Sequence, residues 1–294
     1  VPAASSRRRS ACAQARSRIR RVAYRGFQIT GRWRMPVMLE DPSMTLRVCI
    51  AGITGWTGSA IAPAVAEADD LELVGGVSRS DPDHHSSVTE ALIAAPADVL
   101  VDFTHASAVK DNVLTALEHG ANVVIGSSGL SADDFDEIDA RARSVNLGVV
   151  SAGNFSLTAA LLLRSAVEAA KHFDTWEIID YASAKKTDAP SGTARELAER
   201  LGEVSKPKIG VPVDEVIGPE GARGATIAGV QVHSVRLPSF VVSTEVVFAA
   251  AGERLSIRHD ADQTPAPYVA GTLLAIRAVP GRVGLTRGLD PMLD

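Results

Sequence analysis

The chain has 294 residues, 46% of them hydrophobic and 22% charged, which is the composition of a globular protein large enough for two modest domains. Its formal net charge of −5 gives no electrostatic support for a nucleic-acid partner, and no apolar run is long enough to span a membrane. The two cysteines are too few for a disulfide framework, and no histidines have the spacing of metal ligands, so we predict no metal site.

The first 43 residues differ from the rest of the chain in charge. They contain ten arginines, and their only acids are Glu40 and Asp41. This segment has the composition of an organelle transit peptide, of a basic tail for an acidic partner, or of sequence upstream of a true start at Met44. We favour the last interpretation, because "MTLRVCIAGITG" begins with Met and leads directly into an apolar run that is typical of the first strand of a domain. In each case we expect residues 1–43 to be poorly ordered.

From residue 44 onward, short apolar runs alternate with amphipathic segments. The apolar runs predict strands over residues 46–52, 71–77, 97–104, 121–129 and 147–154. The segments between them predict helices over residues 59–69, 87–95, 107–120 and 132–146. Strands that alternate with helices predict a Rossmann-like, doubly wound parallel sheet, and we assign residues 44–154 to a dinucleotide-binding domain.

The pattern changes after residue 154. Helices are predicted over residues 156–173, 192–204 and 267–279, and strand-like runs over residues 175–183, 229–237, 240–250 and 253–261. These runs predict a second, α+β domain with an open mixed sheet and helices on one face. We assign residues 155–262 to this domain and residues 263–294 to a C-terminal segment.

A glycine-rich turn separates the first predicted strand from the first helix. In "AGITGWTGSAI" the glycines have the spacing G-x-x-G-x-x-G, which lets the backbone turn tightly and lets a pyrophosphate approach the helix start. A packing loop without a ligand is the alternative, but the strand–turn–helix context favours nucleotide binding. The candidate cofactor residues of this loop are Gly52, Thr54, Gly55, Trp56, Thr57 and Gly58.

The ends of the later strands supply further cofactor candidates. The second strand is followed by Ser78 and Arg79, and an arginine there can meet the 2′-phosphate of NADP. Asp81 keeps NAD possible, so we expect NADPH or NADH, with NADP favoured. Open parallel sheets bind ligands at the carboxyl ends of their strands. At the third and fourth strands, the candidates that line the ribose and nicotinamide are Thr104, Gly126, Ser127, Ser128 and Gly129.

A second anion site is predicted in "KKTDAPSGTARELAERL". Ser191 or Thr193 can cap the helix that follows, and the N–H groups after Gly192 face no side-chain obstruction. Such a helix start binds a carboxylate or a phosphate, and Lys186 could add a positive charge or a proton. A capped helix with solvated lysines explains the same residues equally well.

The chain as a whole resembles a known family. From residue 46 to residue 293, the ordered motifs "GITGWTG", "VDFT", "IGSSG", "GNFS", "KKTDAPSGTA", "HSVRL" and "GERLSIRHDA" look like those of dihydrodipicolinate reductase, the 4-hydroxy-tetrahydrodipicolinate reductase of lysine biosynthesis. "K-x-D-A-P-S-G-T-A" is the most specific of them. The ordered set is much stronger than any one motif alone.

The resemblance implies a reductase that transfers hydride from NAD(P)H to a cyclic dicarboxylate imine. It also implies a C-terminal segment that returns to the first domain, a homotetramer and a cytoplasmic location. By motif match, Lys186 is the catalytic lysine, and Gly192 and Thr193 grip a substrate carboxylate with Ser191 beside them. Asn154 and Phe155 fall at the hinge between the domains, next to the cofactor, and His233 borders the substrate pocket.

One departure from the family pattern concerns the proton donor. The family has a histidine pair ahead of the lysine, where this chain has Ala182 and Ser183, and a later histidine is replaced around Thr244. Alanine cannot transfer a proton, and general acid catalysis is typically worth about 10²- to 10⁴-fold. Three accounts stay open: Lys186 acts alone as the acid, Tyr181 or Lys185 replaces the imidazole, or the substrate is a different imine or enamine whose protonation needs less help. The alternatives to the reductase are therefore an imine or amino-acid dehydrogenase and a nucleotide-binding pseudoenzyme.

Overall fold

The computed structural model describes residues 45–219 and 221–293. The expectation that residues 1–43 are poorly ordered therefore falls outside the described part of the chain.

The strands are β1 (Leu46–Ala51), β2 (Leu71–Val77), β3 (Val99–Asp102), β4 (Asn122–Ile125), β5 (Gly148–Ser151), β6 (Thr175–Ser183), β7 (Ala225–Ile227), β8 (Val230–Leu237), β9 (Val242–Ala250), β10 (Glu253–Asp260) and β11 (Gly284–Arg287). The helices are α1 (Gly58–Ala66), α2 (Val88–Ala94), α3 (Val109–Glu118), α4 (Ala132–Ser144), α5 (Leu157–Ala169), α6 (Gly192–Val204) and α7 (Ala266–Ala278).

The first sheet is parallel throughout, with the strand order β11-β5-β4-β3-β1-β2. Every residue of β3 and β4 is buried, as expected for strands with helices on both faces. One face packs on α1 and α7 through residues such as Ile61 and Leu274, and the other packs on α2, α3 and α4 through residues such as Leu92 and Ile138. The predicted doubly wound sheet is confirmed.

The second sheet is mixed and has the order β10-β9-β6-β8-β7, with β6 and β8 parallel and the other pairs antiparallel. Buried and partly exposed residues alternate along β6, because successive side chains of a strand point to opposite faces. The face with Ile178 and Phe248 packs on α5 and α6. The other face, which carries Glu177, Ile179 and His233, is called the open face below. The predicted open mixed sheet is confirmed.

The C-terminal segment joins the first sheet: α7 packs on it, and β11 pairs with β5. The sequence did not predict β11, which has only four residues and begins at a glycine with a φ of +82°. The three-residue strand β7 was missed for the same reason of length. Among the described helices, none combines the length and apolarity that crossing a bilayer requires.

Candidate active site

The glycine loop (residues 52–58) joins β1 to α1, and its backbone packing excludes side chains at two positions. Gly52 has a φ of +82°, and a Cβ placed there would collide with the carbonyl oxygen of Phe103. A Cβ on Gly58 would collide with the carbonyl oxygen of Gly52. Both positions therefore require glycine.

The start of α1 leaves backbone donors unused. Thr57, the N-cap, makes no capping bond through its side chain, and the N–H groups of Thr54, Trp56 and Thr57 have no acceptor among the described residues. Free N–H groups and the helix dipole at such a start attract anions. The loop therefore fits the pyrophosphate of a dinucleotide. The Trp56 side chain is 53% exposed and lies edge-on to Tyr268, with 5.8 Å between ring centroids.

The end of β2 presents one charged group to a ligand. The Ser78 hydroxyl lies 2.7 Å from the Thr54 hydroxyl and is buried, so it is used within the protein. Arg79 follows it and is exposed. Of the predicted ribose contacts at this strand end, Arg79 is therefore the side chain that is open to a 2′-phosphate.

Asp102, at the end of β3, organises the neighbouring loops. This fully buried carboxylate accepts hydrogen bonds from the Thr104 hydroxyl at 2.7 Å, the Ser127 hydroxyl at 2.6 Å and the Asn112 amide at 2.8 Å. Thr104 and Ser127 thus hold the loop shape with their hydroxyls. Sequence reasoning missed Asp102, although it lies within the "VDFT" motif.

The other predicted residues at these strand ends differ in exposure. A Cβ on Gly126 would enter the Phe103 ring, and Gly129 has a φ of +108° with Ala106 close by. Ser128 is exposed. The Phe155 side chain is 2% exposed and packs edge-on to Phe103, with 5.7 Å between centroids, so it belongs to the core and does not face a ligand.

The second predicted anion site, named the carboxylate cradle (residues 191–193) after that prediction, lies at the start of α6. Ser191 caps the helix by accepting the Ala194 N–H at 3.3 Å, and it donates its hydroxyl to Asp180 at 2.6 Å. The N–H groups of Gly192 and Thr193 have no acceptor in the described part of the chain. A Cβ on Gly192 would meet no atom within 4 Å. The cradle is open to a carboxylate, but the Ser191 hydroxyl is not free to bind it as predicted.

Asp180 fixes the cradle to the second sheet. It is fully buried and accepts the Ser191 N–H at 2.9 Å, the Ser234 hydroxyl at 3.1 Å and Arg236 Nη2 at 2.8 Å. The same Arg236 nitrogen donates to the carbonyl oxygen of Asp188 at 2.7 Å. Arg236 therefore neutralises Asp180 and ties the loop before the cradle to β6 and β8.

Lys186 lies in that loop, where its Nζ is 2.8 Å from Asp188 Oδ1, and its side chain is 30% exposed. Burial raises the pKa of Asp188, but the hydrogen bond and charge of Lys186 outweigh this, and the pKa lies below its ordinary value. The carboxylate therefore stays charged at neutral pH and pairs with Lys186 within the loop that precedes the cradle.

Tyr181 does not share the site with Lys186. It alternates with Asp180 along β6 and so lies on the open face, where its hydroxyl donates to Glu245 at 3.3 Å. Its ring stacks on Phe240 with 5.2 Å between centroids, and Arg258 lies 4.7 Å away. Burial and the charge of Glu245 raise the pKa of Tyr181, which makes it a weaker acid.

His233 is also separated from the cradle. It pairs with Ile179 on the open face and lies 2.8 Å from Glu177, whereas the next residue, Ser234, points to the helix-covered face and reaches Asp180. The structure therefore does not bring His233 together with Gly192 and Thr193, because neighbouring strand residues face opposite ways.

A polar row that sequence reasoning missed crosses the helix-covered face. Strand register places Ser234 opposite Asp180, Asp180 opposite Thr244, and Thr244 opposite His259. His259 is 3% exposed, and its Nδ1 lies 2.9 Å from the Thr158 hydroxyl. Burial lowers the pKa of His259, which favours the neutral imidazole. The row was not visible in the sequence because it depends on the register of four strands.

Two family models together match most of the chain. The model described as "Dihydrodipicolinate reductase, N-terminus" matches residues 46–155, and that described as "Dihydrodipicolinate reductase, C-terminus" matches residues 158–292. Among curated relatives, the 4-hydroxy-tetrahydrodipicolinate reductase of Nocardia farcinica is 41% identical over 254 residues, which are 85% of this chain and all of the relative. The enzyme of that name from Mycobacterium sp. strain KMS is 39% identical over 251 residues, 85% of this chain and 99% of the relative.

Solved structures give a consistent result. Dihydrodipicolinate reductase from Paenisporosarcina sp. TG-14, determined with dipicolinate bound, has a TM-score of 0.75 and 29% identity over 85% of this chain and 100% of its own. Amine dehydrogenase from Mycobacterium smegmatis has a TM-score of 0.57 at 16% identity, over 84% of this chain and 96% of its own. At that identity, the second likeness concerns the fold alone.

Proposed function

The chain belongs to the dihydrodipicolinate reductase family, as its motifs predicted, and from this premise we propose that it reduces 4-hydroxy-tetrahydrodipicolinate with NAD(P)H. The strongest structural support is that the free backbone N–H groups of the glycine loop and those of the carboxylate cradle are linked by an unbroken series of contacts. Gly52 packs on Phe103, Phe103 packs on Phe155, and the adjacent Asn154 hydrogen-bonds to Thr193 at 3.3 Å. A dinucleotide on the first set and a carboxylate on the second would therefore be held by one connected structure.

The glycine loop would hold the pyrophosphate of the cofactor on the N–H groups of Thr54, Trp56 and Thr57. We propose NADPH as the preferred form, because Arg79 is exposed at the end of β2 and Ser78, where an acid would select NAD, is neutral and already bonded to Thr54. When bound, the reduced nicotinamide supplies the hydride for the imine carbon.

The carboxylate cradle would hold one substrate carboxylate on the N–H groups of Gly192 and Thr193. Ser191 acts on this site indirectly, because its hydroxyl fixes the helix start to Asp180. Arg236 cancels the charge of Asp180, which would otherwise repel a carboxylate bound at the start of α6.

Lys186 is the proton donor in this proposal. Its ammonium group lies in the loop before the cradle, paired with Asp188, whereas the alternative donor Tyr181 lies on the open face of the sheet with a raised pKa. An incoming carboxylate would compete with Asp188 for the ammonium and draw Lys186 toward the substrate. The chain lacks an imidazole at position 182, so Lys186 would do this work without the histidine of the family pattern.

The test is steady-state oxidation of NADPH and of NADH by the purified chain with 4-hydroxy-tetrahydrodipicolinate. We expect turnover, with Lys186→Ala and Lys186→Arg each lowering kcat by about 10²-fold or more, since arginine keeps the charge but cannot release a proton. Cofactor affinity should be unchanged in both variants. If Lys186→Arg retains full activity, the lysine only anchors the substrate and the proton comes from elsewhere.

Two outcomes would favour other functions, for which the replacement of the histidine by Ala182 is the motivating observation. Turnover with other cyclic imines but not with this substrate would indicate an imine or amino-acid dehydrogenase. Cofactor binding without turnover on any imine would indicate a pseudoenzyme.

We also propose that the chain forms a homotetramer through the open face. A groove of about 1000 Å³ lies there, with apolar side chains including Ile179, Val247 and Val211. Ile217 and Val211 in the same groove are exposed, and exposed apolar side chains that lie together mark contact surfaces. Sedimentation analysis that gives the mass of a single chain would contradict this assembly.

A further inference from the structure

Asn154 links the end of the first sheet to the carboxylate cradle through its side-chain amide. Its Oδ1 accepts the Ser156 N–H at 2.8 Å, and its Nδ2 lies 3.3 Å from the Thr193 hydroxyl oxygen. Asn154 and Thr193 are 39 residues apart in the chain, so this is a tertiary contact between the hinge and the helix that carries the cradle.

The orientation of the amide follows from hydrogen-bond chemistry. A backbone N–H can only donate, so the amide oxygen of Asn154 must face Ser156. The amide nitrogen then faces Thr193 and can only donate to it. The Thr193 hydroxyl oxygen is therefore an acceptor in this contact, and its own proton has no acceptor among the described residues.

Ser191, two residues earlier, has the opposite assignment. Its hydroxyl proton goes to Asp180 Oδ1 at 2.6 Å, because a carboxylate can only accept, and its oxygen accepts the Ala194 N–H at 3.3 Å. One cradle hydroxyl is thus fully used inside the protein, while the other has a free proton beside the two free N–H groups.

We propose that Asn154 is a positioning residue that sets the direction of the Thr193 hydroxyl and so keeps its proton for the substrate. The cradle then presents three donors at Gly192 and Thr193, which are two N–H groups and the Thr193 O–H. Three converging donors favour a carboxylate, whose two charged oxygens accept several hydrogen bonds, over a neutral amide or alcohol in the same place. The inference rests on the proposed function only in taking a carboxylated ring as the ligand.

Asn154→Asp tests this with little change in shape. Aspartate presents oxygens on both sides, so Ser156 stays satisfied while the Thr193 hydroxyl turns to donate to the new carboxylate. With dipicolinate as the probe, in the presence of cofactor, we expect Kd to rise about tenfold or more, since a hydrogen bond to a charged group is lost. KM for the imine should rise in parallel, with kcat reduced by less than about threefold.

A double-mutant cycle separates this mechanism from simple charge repulsion. In a Thr193→Val background the hydroxyl is already absent, so Asn154→Asp should add less than about a twofold loss of dipicolinate affinity. Thr193→Ser, which keeps the hydroxyl, should retain the wild-type affinity within about threefold. In the matched control cycle, Ser191→Ala takes the place of Thr193→Val. Because the Ser191 hydroxyl is bonded to Asp180, the fold losses of dipicolinate affinity caused by Ser191→Ala and by Asn154→Asp should multiply in the double variant.

The inference is overturned if Asn154→Asp leaves dipicolinate affinity intact, or if it weakens binding equally in the Thr193→Val background. It is also overturned if the unmodified chain does not bind dipicolinate. A different result separates this inference from the proposed function. If the double-mutant cycle gives the expected dipicolinate affinities but the chain does not oxidise NAD(P)H in the presence of the imine, the proposed reaction is wrong and the role of Asn154 still holds.

Discussion

The starts of α1 and α6 both leave backbone N–H groups without an acceptor among the described residues, but the two starts are built in different ways. The start of α1 has no side-chain cap, and its form is set by glycines whose neighbours leave no room for a Cβ. The start of α6 has open space at Gly192 and is held by Ser191, which is bonded to the buried Asp180. The first site is therefore defined by shape and the second by a network of charges.

This difference has a physical reason. Asp180 gives the cradle a rigid anchor, but its negative charge lies close to the place where a substrate carboxylate would bind. Arg236, only 17% exposed in its side chain, cancels that charge. The α1 loop needs no such compensation, because no acid lies in its first turn. The charged anchor thus makes the second site dependent on Arg236 of β8, whereas the first site depends on backbone packing within the loop and against Phe103.

The largest effect should come from breaking the charge network. Arg236→Met leaves Asp180 buried without a counter-charge, and losing one partner of a buried pair costs about 3–5 kcal/mol of unfolding free energy. Urea denaturation, followed by circular dichroism, measures this loss. Adding Asp180→Asn should recover part of it, since the unpaired charge is then removed. A single Arg236→Met variant as stable as the wild type would mean that the network does not hold the cradle.

The shape-defined site is tested by Gly58→Ala. The added Cβ collides with the Gly52 carbonyl, so the loop must move, and we expect NADPH affinity to fall by about 100-fold, roughly 2.7 kcal/mol. Fluorescence titration with NADPH measures the change.

Gly192→Ala is the matched control for this variant, because its Cβ meets no protein atom within 4 Å. It should leave the melting temperature and NADPH affinity unchanged and weaken only dipicolinate binding. If both alanine variants lose cofactor affinity alike, the space around the glycine Cβ position does not distinguish the two helix starts.

The two sites also differ in how far the sequence predicts them. The strand, turn and helix of the glycine loop could be predicted from the sequence because they are adjacent in the chain and the glycine spacing is visible in it, and the cofactor role of the loop stays a prediction. For the cradle, the sequence pointed to Gly192 and Thr193, whose N–H groups have no acceptor among the described residues, but it did not point to Asp180 and Arg236, which meet through strand pairing. His233 shows why the sequence alone did not place this side chain correctly. Neighbouring residues of a strand point to opposite faces of the sheet, so Ser234 reaches Asp180 and His233 does not.

The smallest predicted effect concerns Glu196, one turn into α6, whose carboxylate lies against the backbone of Gly153. Burial raises its pKa, and the charges of Arg287 and Arg200 offset this only in part. A raised pKa in the folded state means that the proton is bound more tightly there than in the unfolded chain. This contribution to stability is complete below the ordinary pKa of 4.5 and is lost as the pH rises through the raised value.

Glu196→Gln has no such loss, so its unfolding free energy relative to the wild type should increase between pH 4 and pH 8 in urea denaturation. The opposite trend would mean that attraction to the two arginines outweighs burial, and that charge pairing extends from the start of α6 into its second turn.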